Sequence, residues 1–386
     1  MALALLALGA PAARAQTWTV RASGTAQPLN DVVFSSASTA IAVGNAGATG
    51  TITVSGDGGA SWTPKVTEYA RALNAVFSSA ATVVAVGDDA PGGGIGAVVS
   101  TSNDRGGSFS TPTLVNANGT DMVDVVFSGA GTVIGVGSGD PEVFSSADRG
   151  ATWANEYDYI PAGNLNAVAA SGRLVVAVGS NNFIARSAST GNAWSSASSA
   201  GTAAVVDMND VAFAGPAILV AVGQGGNVIR STDGGDRWRN PYSAGVQLNA
   251  VAARATRVVA VGNGGVLALS TDFGATWSSP ASPTGQNLND VIFLTSTVVL
   301  AAGNNGAIIG SQDGGASWAL QTSNTVNSLS ALAYNEANRV VAVGAGGTIV
   351  LSADQLSTSQ PIPFQSKWLL VLLLGGYGAY VLHRMR

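Results

Sequence analysis

From residue 29 to residue 354 the chain alternates short apolar, β-branched runs with clusters of Gly, Asn, Asp and Ser. Val-Val-Ala-Val-Gly at 340–344 and Thr-Ile-Val-Leu-Ser at 348–352 are typical. Runs of this length between turn formers read as strands. The pattern repeats. Each unit opens with Leu-Asn-x-Val or a near copy, at Leu29, Leu73, Met122, Leu165, Met208, Leu248, Leu288 and Leu329, with spacings of 44, 49, 43, 43, 40, 40 and 41 residues. An Ala-Val-Gly or near copy follows, ending at Gly44, Gly87, Gly137, Gly179, Gly223, Gly262, Gly303 and Gly344. After a second apolar stretch comes a Ser-x-Asp-Gly-Gly-x-Ser-Trp box, clearest at 55–62, 231–238 and 311–318.

Three strands and a fourth starting at the Trp, in a repeat of about 40 to 45 residues, are the pattern of a β-propeller blade. A lone blade cannot bury both faces, so blades stack in a ring. Gly262 to Gly265 suit the tight turn between second and third strands, because Gly and Asn accept positive φ cheaply. The eighth unit, Leu329 to Asp354, lacks its Trp strand, and Thr17-Trp18-Thr19-Val20 supplies a stray one. That strand is expected to complete the last blade. The position after Leu-Asn alternates Asp31, Ala75, Asp124, Ala167, Asp210, Ala250, Asp290, Ala331, and Phe34, Phe127, Phe213 and Phe293 follow the Asp members. The expectation is therefore an all-β propeller over residues 16–354, built of eight four-stranded blades as four copies of a two-blade unit. Seven blades plus an irregular unit is the alternative.

The two ends read as addresses. Residues 1–15 form a short Leu/Ala core, Pro11 and Ala13-Arg14-Ala15, the small residues a signal peptidase reads. No basic residue precedes that core, which points to a start codon upstream. Residues 355–367 form a linker ending in Pro361-Ile362-Pro363-Phe364-Gln365-Ser366-Lys367. Residues 368–386 are a short apolar helix with the basic tail His383-Arg384-Met385-Arg386. The 15 residues from Trp368 to Leu382 span about 22 Å as a helix, short of a hydrocarbon core of about 30 Å. The order of motif, helix and basic tail resembles the C-terminal sorting signals handled by exosortases in Gram-negative bacteria, in the variety reading Ile-Pro-Thr-Leu-Ser-Glu-Trp-Gly. Ile362, Pro363, Ser366 and Trp368 match it; Phe364, Gln365, Lys367 and Leu369 depart. A retained anchor and a packed terminal helix are the alternatives.

Composition narrows the chemistry. The chain has no Cys and one His, His383, so a thiolate nucleophile, a disulfide framework, a Ser-His-Asp triad in the ring and a Cys/His zinc site are excluded. Its 17 basic against 22 acidic residues argue against nucleic acid. No cofactor is expected.

The repeated box resembles the Asp-box, or BNR motif, of sialidases and other propellers. Its Asp accepts turn amides, its Gly takes a positive φ, and its Trp is buried between blades with its N–H paired. This makes Asp57, Asp104, Asp148, Asp233, Asp272 and Asp313, with Trp62, Trp153, Trp238, Trp277 and Trp318, structural residues at the periphery. A sialidase would need an Arg cluster, a Tyr nucleophile, a Glu partner and an acid Asp. Only Glu68, Glu142, Glu156 and Glu336 are present, and the Arg are scattered, with Arg186 and Arg230 at matching places on the third strand. The chain is read as a non-enzyme.

Over residues 17 to 354 the repeats resemble the photosystem II assembly and stability factor family, which also runs from Leu-Asn-x-Val-x-Phe through Ala-Val-Gly to an Asp-box Trp. The resemblance implies a non-catalytic, protein-binding propeller. The acidic charge, the eight units and the terminal signal depart from that family, so photosystem assembly itself is not implied. If first strands line the axis, Asp31, Asp124, Asp210 and Asp290 form a four-fold ring. Such carboxylates repel, raise their pKa values or hold a cation, or each bonds its neighbour's backbone. Partner-binding loops are expected on the crossover face: Tyr69 and Arg71, Glu156, Tyr157, Asp158 and Tyr159, and Tyr242, joined by the hairpin from Asp88 to Gly96. The leading reading is a monomeric, exported scaffold in the periplasm, outer membrane or cell surface of a Gram-negative bacterium. It would bind an envelope protein or glycan, with a membrane-embedded processing enzyme acting on its C-terminus. The runner-up is a secreted sialidase-like or carbohydrate-binding propeller.

Overall fold

The computed structural model describes residues 17–352 apart from 47–48, 67–71, 89–95, 116–120, 130, 139–142, 157–163, 200–205 and 336–338. The leader 1–15, the linker, the sorting motif and the terminal helix lie outside the described residues. Among those described, no helix is long and apolar enough to cross a membrane.

The eight units fold as eight antiparallel blades, each with its first three strands in sequence order from the axis outward. Blade 1 is Leu29–Phe34, Ala40–Ala46, Thr49–Ser55 and Thr63–Val66. Blade 7 is Leu288–Phe293, Val299–Gly303, Ile308–Ser311 and Ala319–Leu320. Each inner strand touches the inner strands on both sides, including Leu29–Phe34 with Leu329–Tyr334, so the ring is closed. Closure uses the N-terminal strand Trp18–Arg21, which takes the fourth place in blade 8, with Trp18 opposite Ser352 and Arg21 opposite Ile349. In blade 6 the fourth strand shrinks to one bridge, Leu269 to Ser278, because Pro280 two residues on has no N–H for the next rung. Blade 5 gains a fifth strand, Ser198–Ser199, parallel to Arg237–Ser243.

The apolar second strands explain themselves by burial on both faces. Ala40 and Ala42 pack toward blade 8, with Val341 and Val343, while Ile41 and Val43 pack toward blade 2, with Leu73 and Val76. Eight such interblade layers make up the core, not one central cluster. The Gly that closes the Ala-Val-Gly signature has a steric cause. A Cβ on Gly44, Gly179 or Gly303 would collide with the backbone carbonyl of Pro28, Asn164 or Asn287, the residue before the Leu signature position of its own blade. That close approach accompanies a bulge in every inner strand, between Leu29 and Asp31 in blade 1 and at the matching place in all the others.

Candidate functional site

The bulged residue is the Asn of the Leu-Asn signature. A bulge re-aims a side chain out of the ladder, and here it aims the amide at the next blade. Asn30 donates to the Leu73 carbonyl at 2.9 Å, Asn74 to Met122 at 2.9 Å, Asn166 to Met208 at 2.8 Å, Asn209 to Leu248 at 2.7 Å, Asn249 to Leu288 at 2.8 Å and Asn289 to Leu329 at 2.8 Å. Blades 3 and 8 carry Val123 and Ser330 at this position. The sequence displays these Asn residues as a signature without saying what they hold.

One residue on, the four alternating Asp residues line the inner wall. Asp31 accepts its own neighbour Val32 at 2.7 Å and Val76 of blade 2 at 2.8 Å. Asp124 bridges to Val168, Asp210 to Val251 and Asp290 to Leu332, at 2.8, 2.7 and 2.7 Å. Each carboxylate thus bonds backbone on both sides of one seam and joins an odd blade to the following even one. Burial pushes Asp31 and Asp210 up to about 7 against the pull of their two amides, and the charges of Asp124 and Asp290 add to the push. Burial likewise raises Asp124 and Asp290 to about 6. Among the described residues no group of three or more acidic or His side chains is placed to hold a metal.

The boxes lie at the hairpins between third and fourth strands. In blade 6, Asp272 accepts the Ser270 hydroxyl at 2.8 Å, the Thr276 amide at 2.8 Å and the Thr276 hydroxyl at 2.6 Å. Those Thr276 bonds hold its carboxyl down at about 2. The Trp277 indole donates to the Gly274 carbonyl at 3.0 Å. Asp57, Asp104, Asp148 and Asp313 make the same bonds to their own Ser or Thr, and Asp233 bonds Ser231 and the Arg237 amide. Trp62, Trp153, Trp238 and Trp318 donate to the matching Gly carbonyls. Two boxes vary: blade 2 has Phe109 in the Trp place, and blade 4 has Ser189 in the Asp place but keeps Trp194, bonded to Gly191 at 2.8 Å.

The box also reaches beyond its own blade. Gly274, at φ +80, would put a Cβ 2.6 Å from Val220 of blade 5, so the turn rests directly on the preceding blade. Arginines of preceding blades complete the joint: Arg186 donates to Gly234 and Arg230 to Phe273, both at 2.7 Å, Arg257 to Gly314 at 3.1 Å and Arg339 to Asp57 at 2.6 Å. The matching places of Arg186 and Arg230 are therefore seam positions.

Of the expected loop residues, Tyr69, Arg71, Tyr157, Asp158, Tyr159 and positions 89–95 lie outside the described residues. Glu156 closes the fourth strand of blade 3: its carboxylate accepts the Ser145 hydroxyl at 2.8 Å and its amide donates to Val143 at 3.0 Å. Tyr242 corrects the loop assignment. It lies inside the strand Arg237–Ser243, its ring stacks on Trp277 at 5.9 Å and 19°, and its hydroxyl meets Ser279 at 2.6 Å. Pairing with Val228 across a bulge extends the fourth strand through Tyr242 and keeps it in the sheet.

The fold and its seams define an eight-bladed β-propeller whose repeated polar residues serve the ring itself. No protein-family model and no curated protein matches the chain. Similar solved structures exist. YCF48 bound to D1 peptide is 18% identical with a TM-score of 0.57, covering 91% of this chain and 100% of that one. YCF48 from Cyanidioschyzon merolae is 16% identical, TM-score 0.54, covering 87% and 98%. Sqt1 from Chaetomium thermophilum, bound to the N-terminus of the ribosomal protein L10, is 14% identical, TM-score 0.64, covering 86% and 98%. At these identities the likeness is one of fold.

Proposed function

We propose that this chain is an exported, non-catalytic propeller that binds a protein of the bacterial cell envelope. The observation that carries the reading is the engagement of the repeated acids. The box Asp residues are held by local hydroxyls and amides, and each axial Asp bonds two backbone amides. A general acid or nucleophile needs a carboxylate poised toward substrate, and these are committed to the fold. Two of the similar structures are complexes with a peptide or a protein terminus, which supports peptide capture as a use of such a ring.

Export rests on the sequence: Ala13-Arg14-Ala15 for cleavage of the leader, and Ile362, Pro363, Ser366 and Trp368 for C-terminal sorting. In this reading the terminal helix holds the chain in the membrane until it is processed, and the periplasm, outer membrane or cell surface is its destination. Intact-mass measurement of the protein from native envelope fractions tests it. The expected mass begins near Gln16 and lacks the terminal helix. A chain still carrying residues 1–15 contradicts export, and one ending at Arg386 contradicts sorting by cleavage.

A further inference from the structure

A cleft of about 840 Å³ opens on the crossover face of blade 7, between the segment entering that blade and the segment leaving it for blade 8. Its volume lies in the range of ligand sites. Among the described residues its lining has no charged and no aromatic side chain, in a chain where both types occur on most blades. Two aliphatic side chains stand out into it: Leu320 of the fourth strand, 53% exposed, and Val326 of the crossover, 81% exposed.

The rest of the wall mixes Ser and Thr hydroxyls with side-chain amides. Asn305 donates through Nδ2 to Gln286 Oε1, Asn324 to the Trp18 carbonyl and Asn327 to the Thr348 hydroxyl, each at 2.7 Å. An Asn side chain anchored through its nitrogen has its plane fixed and keeps its oxygen as an acceptor. The lining therefore carries three amides held through their nitrogens, with their oxygens left as acceptors, and two unsheltered aliphatic groups. Main-chain N–H groups suit the acceptors, and an aliphatic side chain suits Leu320 and Val326. An acidic or basic segment finds no opposite charge here, and a sugar ring finds no aromatic face to stack on.

We infer that the blade 7 cleft, through Leu320, Val326 and the anchored amides of Asn305, Asn324 and Asn327, binds an extended, uncharged peptide segment carrying an aliphatic side chain. This rests on the reading of the ring as a protein-binding module and gives that reading a place and a ligand class. Binding here is insensitive to salt, since no ion pair forms and screening acts on charges.

The test uses the full propeller against arrays of ten-residue peptides in three classes, uncharged with Val, Leu, Thr and Gly, acidic, and basic, together with the neutral oligosaccharide maltoheptaose. Affinities of the best binders are then measured with Val326→Asp and Leu320→Asp, and with Tyr242→Ala in blade 5 as a control site. Val326 and Leu320 are exposed, so both variants should keep the parent's circular dichroism and melting temperature. The expected result is selection of uncharged peptides, at least about tenfold weaker binding in either cleft variant, no change in Tyr242→Ala, and less than about twofold change between about 50 and 500 mM NaCl. Uncharged peptides that bind the cleft variants unchanged, or selection of charged peptides, would overturn the site and leave protein binding standing. Maltoheptaose binding lost in Val326→Asp would overturn the ligand class. No peptide binding of any class would overturn both the site and the protein-binding reading.

Discussion

The carboxylate of Asp210 in blade 5 accepts the amide of Val251 in blade 6 at 2.7 Å while its other oxygen accepts Val211, so one side chain closes backbone gaps on both sides of a seam. Replacing it with Ala leaves two amides at the inner wall without partners. Leaving a buried donor unsatisfied costs about 1–3 kcal/mol. Asp210→Ala is expected to lower the free energy of unfolding by about 2 kcal/mol in urea titration at pH 7. A change inside error would mean that water in the channel replaces the carboxylate.

The same ring gives a pH dependence of definite sign. Asp31 and Asp210 titrate at about 7 and Asp124 and Asp290 at about 6 in the folded chain, raised above an ordinary value of 3.8. Between 3.8 and those values the folded ring binds protons more readily than the unfolded chain. Its contribution is fully present below about pH 4 and is lost as pH rises through about 6 to 7. The box residues Asp57 and Asp272, held at about 2, act oppositely, losing their contribution as pH falls below the ordinary value toward 2. Melting temperature should therefore be higher at about pH 5 than at about pH 8. The double variant Asp31→Asn with Asp210→Asn should flatten that slope, and an unflattened slope would place the titration elsewhere.

Box turns should be more sensitive at the Gly than at the Asp. Gly274→Ala forces a Cβ into Val220 and an L residue into φ +80, two costs at one seam. About 2–3 kcal/mol of destabilisation is expected. Asp272→Ala removes bonds at an exposed turn, where water takes their place, so its effect should be smaller. Chemical denaturation of both variants decides, and the reverse order would refute the seam role of the box.

Much of this is legible in the chain. The eight signatures, the Ser-x-Asp boxes and the stray Trp18 strand point to eight blades and to closure by that strand, with seven blades as the alternative that the eight observed sheets remove. The Asn of the signature is visible only as a pattern, since the bulge that turns it toward the next blade depends on a contact about 40 residues away. Trp194 escapes a search for the box because Ser189 stands there in place of Asp. Tyr242 is expected in the crossover between blades 5 and 6, whereas pairing with Val228 and stacking on Trp277 keep it in a strand. The blade 7 cleft carries no motif at all, being made by two crossovers side by side.

At the seam between blades 8 and 1 neither Ser330 nor Ala331 supplies an amide or carboxylate. There Arg339 bonds the Asp57 carbonyl at 2.6 Å and Asn335 bonds the Ala37 carbonyl at 2.7 Å. Arg339→Ala should speed hydrogen exchange in residues 18–21 and 348–352 more than in blades 3 to 5, as the closing seam opens first. Uniform exchange would show that closure is no weaker than the rest.

The most direct check on a binding ring without chemistry is a fluorogenic sialoside assay on the purified full chain. Release no faster than the buffer blank is expected. Turnover that disappears in Arg230→Ala or Tyr157→Phe would contradict it and make the chain a glycosidase.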